Sequence, residues 1–71
     1  MKNAAPKTPK AYGMTYDAKA AVWDGQTDAA IVPPDARTVT DYFGAVWLWW
    51  VAGGYQYRRN TMTGRTTANR Y

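Results

Sequence analysis

From Tyr42 to Tyr57 the chain runs sixteen residues without a charge, YFGAVWLWWVAGGYQY, bounded by Asp41 and by Arg58-Arg59. Apolar residues at Val39, Phe43, Val46, Trp47, Trp50 and Val51 recur at three-and-four spacing, which predicts a helix. The opposite side of that helix is apolar too (Ala45, Leu48, Trp49, Ala52), and a helix apolar all round belongs in a core or in lipid. Pro33-Pro34 stand just outside its start, and Asp35 or Thr38 can cap it. Gly53-Gly54 read as its C-cap, with continuation through Tyr55-Gln56-Tyr57 as a variant.

Sixteen helical residues cover about 24 Å, and a start at Thr38 extends this to about 30 Å, the thickness of a bilayer's hydrocarbon core. Tyr42, Tyr55 and Tyr57 then fall at the two edges, as an aromatic belt requires, and Arg58 and Arg59 can snorkel. The expected fold is therefore mostly α: a single transmembrane helix at 35–57 with extended N- and C-terminal arms and no independent globular core. Residues 1–34 form an extended, partly helical arm, and 58–71 a basic tail. Within the arm, Asp17 can cap a short helix over Ala18–Trp23, and Ile31-Val32 before the prolines should be extended. A competing all-β reading takes Val46–Ala52 as a strand, Gly53-Gly54 as a two-residue turn, and Tyr55–Arg59 as the return strand. Tryptophan and tyrosine favour strands, but a lone hairpin is not independently stable.

Composition narrows the chemistry. Seventy-one residues make at most one domain, and at that size a core is marginal without staples. There is no cysteine for disulfides or thiolate metal sites, and no histidine to act as base, metal ligand or haem ligand. Serine and glutamate are absent as well, so catalysis would fall to five aspartates, threonine, tyrosine, lysine and arginine. Asp24 and Asp28 lie four apart, but Gly25 between them favours a turn over a paired-carboxylate site. No phosphate-binding glycine loop is present. The chain is read as a non-enzyme with no catalytic residues, no cofactor and no metal.

Charge is distributed unevenly. Arg58, Arg59, Arg65 and Arg70 follow the apolar run with no acid, whereas Lys2, Lys7, Lys10, Lys19 and Arg37 before it are offset by five aspartates. A spanning helix would place its C-terminal tail on the electrically negative side, the matrix or cytoplasm. Close helix packing would use Gly44, Ala45, Ala52, Gly53 and Gly54. Trp47, Trp49, Trp50 and Trp23 would pack against partners or lipid, and Tyr42, Tyr55, Tyr57, Arg58 and Arg59 would anchor the helix at the interface.

The segment Phe43-Gly44-Ala45-Val46-Trp47-Leu48-Trp49-Trp50, with arginines at the far edge, resembles the tryptophan-rich span of small single-pass supernumerary subunits of mitochondrial respiratory complexes, the AGGG-type subunit of complex I among them. The likeness covers about a quarter of the chain, which departs from it in having a basic tail in place of an acidic extension. It implies an accessory, assembly role in the mitochondrial inner membrane, with other subunits of a large complex and lipids, including anionic lipid at Arg58 and Arg59, as partners. Two other classes compete. One is a virion or phage structural protein, suggested by an acidic head, apolar middle and basic tail. The other is a small nucleic-acid-binding module with a β-hairpin, using Tyr55, Tyr57, Arg58, Arg59, Arg65, Arg70 and Tyr71 at a pI near 9.6; a basic flank to a membrane helix explains the same residues, so nucleic acid is not the expected partner.

Overall fold

The computed structural model describes residues 8–9, 14–26 and 32–71. Six strands form one antiparallel sheet: β1 Thr15–Asp17, β2 Val22–Gln26, β3 Arg37–Thr40, β4 Val46–Ala52, β5 Tyr55–Asn60 and β6 Arg65–Arg70, in spatial order β1-β2-β6-β5-β4-β3. This corrects the mostly-α expectation. Among the described residues none is helical, and no helix is long and apolar enough to cross a membrane. The transmembrane helix at 35–57 is instead the β3–β4 hairpin and the first half of the β4–β5 hairpin. Nothing in the fold points to a mitochondrial or respiratory-chain membrane segment.

The physical reason lies in β4 and its turn. Gly53 and Gly54 both take positive φ (59° and 83°), the pairing a two-residue hairpin turn needs, and Ala52 pairs directly with Tyr55 across it. With the chain reversed there, period-2 alternation governs both strands. Leu48, Trp50 and Ala52 face one way with Tyr55, Tyr57 and Arg59, while Trp47, Trp49 and Val51 face the other with Gln56, Arg58 and Asn60. A strand apolar on both faces mimics a helix apolar all round. Asp17 does accept from the N–H groups of Lys19 and Ala20, as a helix cap would, but the segment turns back at Ala21 (φ 55°) into β2 instead of continuing as a helix.

One face carries the core. Trp23, Trp50, Tyr55, Tyr57 and Ala68 are buried together, with Met14, Tyr16, Val32, Ala36, Leu48 and Ala52 packed around them. Trp50 and Tyr57 stack nearly parallel, with centroids 5.1 Å apart at an interplanar angle of 4°, and Tyr16 lies 5.3 Å from Trp23. Arg59 is buried beside them and donates from Nε to Thr66 Oγ1 at 2.9 Å. Four antiparallel pairings separate β2 from β3, so these two strands run the same way and the chain must cross the sheet between them. The described part of that crossing, 32–36, places Val32 and Ala36 on the core cluster. The described part of this crossing thus lies on the core face, and among the described residues the opposite face is the more exposed, open one.

Candidate functional site

On the open face, register builds one row across all six strands: Thr15, Asp24, Thr67, Arg58, Trp49 and Arg37, from β1 through to β3. Trp49 therefore stands between two arginines on its neighbouring strands. Trp47, one position higher on the same face, is flanked by Val39 and Asn60. The Arg58 guanidinium reaches diagonally over the Trp47 ring, 4.4 Å from its centroid. Val39, Asp41, Trp47, Trp49 and Arg58 line an open depression of about 240 Å³. Its two indoles are half-buried, each leaving part of its surface in solvent.

The indoles are fixed from both sides. Trp47 Nε1 donates to Asp41 Oδ2 at 3.0 Å, and Trp49 Nε1 to Gln56 Oε1 at 3.5 Å. Asp41 organises the β3–β4 turn: its Oδ1 accepts from Phe43 N–H (2.8 Å) and Ala45 N–H (2.9 Å), and its carbonyl from Gly44 N–H, with Gly44 at φ 83°. The Trp47 indole, then the Ala45 and Phe43 amides and the charge of Arg58, hold the Asp41 carboxyl below its ordinary range against the opposing effect of desolvation. Each Asp41 oxygen already accepts a bond within the chain, so its role is to set the turn and orient Trp47.

Charge on this face is positive where the indoles are. The acid in the row, Asp24, is held below the ordinary carboxylate range by the Arg65 guanidinium, to which it is bound through both oxygens. Arg37 and Arg58 make no salt bridge among the described residues. No group of carboxylates with metal-binding geometry occurs among the described residues.

The residues singled out from sequence divide sharply. Trp47, Trp49 and Arg58 meet on the open face. Trp50, Trp23, Tyr55 and Tyr57 are buried in the core, and Arg59 is buried against Thr66, so these cannot serve as lipid anchors or stacking surfaces. Gly53 and Gly54 make the hairpin turn and Gly44 the β3–β4 turn, so they are turn formers and do not sit in a helix-packing stripe. Tyr42 projects from the latter turn, 95 % exposed. Of the residues named for nucleic acid, Arg65 is taken up by Asp24, Arg70 lies 6.0 Å over Tyr55, and Tyr71 is exposed at the other end of the sheet, its N–H bonded to Gly54 O. Sequence reasoning missed Arg37, Val39, Asp41 and Gln56. The signal for Asp41 was present, since Asp-x-x-Gly between apolar runs is a turn signature.

No protein-family model, curated protein or solved structure matches the chain.

Proposed function

We propose that this protein is a non-catalytic binding module that takes single-stranded nucleic acid on the open face of its sheet. The observation that carries the reading is Trp49 held between Arg37 and Arg58, beside a second indole, on a face the core does not use. Exposed indole surface stacks any base, and flanking guanidiniums meet the phosphates on either side of it. Stacking requires bases that are not already stacked in a duplex, and a shallow depression on a sheet offers no element to enter a groove. A neutral ligand such as a sugar would draw on carboxylate acceptors, but those of Asp41 and Asp24 are already engaged.

The expected accessory role in a membrane complex drew on a spanning helix, which a pair of strands replaces, so the reading here rests on surface chemistry alone. Titration of a labelled oligothymidine with the full chain, followed by anisotropy, tests it. Stacking of one base contributes about 1–3 kcal/mol, so Trp49→Ala should weaken binding roughly 5- to 150-fold. Equal affinity for duplex of the same length, or unchanged affinity in Trp49→Ala, would overturn the proposal.

A further inference from the structure

The end of the sheet where β3 turns into β4 and β5 into β6 carries three large side chains almost wholly in solvent: Tyr42 at 95 %, Phe43 at 89 % and Met62 at 92 % exposure. The two turns are neighbours, tied by Thr61, whose N–H and Oγ1 both donate to Val46 O at 3.1 and 2.9 Å. They share one construction. Asp41 accepts from Phe43 and Ala45 N–H through its side chain and from Gly44 N–H through its carbonyl. Asn60 likewise accepts from Met62 and Thr63 N–H through Oδ1 and from Gly64 N–H through its carbonyl.

This arrangement has two physical consequences. The N–H groups of Phe43, Gly44, Ala45, Met62, Thr63 and Gly64 are bonded within the chain, so moving the tips toward the headgroup boundary leaves these amides paired, while the Tyr42 N–H and the turn carbonyls keep the hydration that boundary provides. The side chains are held out by rigid turns, so little ordering remains to oppose their burial. Tyr42 and Phe43 meet edge to face at 5.4 Å, and with Met62 on the adjoining turn they put three large apolar side chains into solvent at one end of the sheet. Between Asp41 and Arg58, and again between Asn60 and Arg65, the turns hold only neutral residues. A convex end made of outward side chains on two turns suits a deformable surface, which needs no preformed complement. Tyrosine and phenylalanine at such an end match the chemistry of the headgroup boundary, and Asp41, already bonded three times by its side chain, can remain at headgroup level.

We infer that this end of the sheet inserts into the interfacial region of a lipid bilayer, with Tyr42, Phe43 and Met62 as the inserted side chains. The contact needs no spanning segment and uses none of the residues proposed for nucleic acid. It leaves the Trp49 row accessible beside the surface.

Sedimentation of the full chain with phosphatidylcholine vesicles, alone and with phosphatidylserine added, tests the inference. Binding should already be seen with the neutral vesicles. Tyr42→Ala and Phe43→Ala should each reduce partitioning by about tenfold or more, and Met62→Gln, on the other turn, by roughly threefold. A Phe43→Trp variant should be quenched by lipids brominated in the upper acyl chain. Among the described residues these side chains are not part of the core cluster, so the variants should keep the parent circular-dichroism spectrum. Arg37→Ala/Arg58→Ala should bind neutral vesicles as the parent does. Absence of binding, binding only when phosphatidylserine is present, or binding unchanged in the tip variants would each overturn the inference and move the tip's role to a protein partner.

Discussion

Replacing Arg37 and Arg58 by alanine, singly and together, separates a phosphate-tracking face from one that merely happens to be basic. For single strands each neutralised phosphate contributes a slope of about −0.7 to log K against log salt concentration. If both guanidiniums meet phosphates, each single variant should flatten the slope by about 0.7 and the double variant by about 1.4. Between about 50 and about 200 mM salt, those two contacts account for roughly a sevenfold change in affinity, which the double variant should lose. The arginines sit on strands either side of β4, two strand spacings or about 10 Å apart, so their effects should add. Anisotropy titrations of a labelled oligothymidine at four or five salt concentrations give the slopes directly. Arg70→Ala is the control, because Arg70 pairs with Tyr55 and so belongs to the other face. The reasoning fails if the double variant keeps the parent slope, or if Arg70→Ala flattens it equally.

Two further outcomes follow from the structure. The acidity of Asp41 is raised in the fold, so its contribution to stability is complete above the ordinary carboxylate pKa and is lost as pH falls through the lower folded value. Asp41→Asn should therefore show a shallower loss of urea midpoint than the parent between about pH 6 and about pH 2, with tryptophan emission reporting release of Trp47; parallel curves would count against the turn's dependence on the carboxylate. Trp50→Ala removes a buried indole stacked on Tyr57 and should cost about 3–5 kcal/mol, a large part of the roughly 4–11 kcal/mol expected for a chain this size, so urea denaturation should find it barely folded; a loss under about 1.5 kcal/mol would mean Trp50 is not central to the core.

How much of this was legible depends on the element. The hairpin at Gly53-Gly54 was readable in detail, and the strand bounds of the competing reading, Val46–Ala52, are those observed. The helical reading prevailed because β4 is apolar on both faces, one set of side chains serving the core and the other the open face, which erases alternation. In β5 the alternation Tyr55, Tyr57, Arg59 is real, but its third member is a charge, and a charge marks an outward position by default. The strand β6, Arg-Thr-Thr-Ala-Asn-Arg, carries one apolar residue and no pattern at all. It is made a strand by partners on both sides, β2 and β5, which no local signal reports. The candidate site was half visible for the same reason. Trp47, Trp49 and Arg58 stand out by type, whereas Arg37 enters only through the register that sets it opposite Trp49.

The place of β6 has a consequence for how the molecule assembles. Strands β3 to β6 follow one another as neighbours and can zip locally, and so can β1 with β2, but among the described strands these two units are paired only along the ladder between β2 and β6. During synthesis the early hairpin must wait, its Trp23 without the Ala68 it will cover, until some forty further residues have left the ribosome. The late-made strand is the keystone between them. A chain nicked within the crossing should therefore still come together as two fragments, held along that single seam.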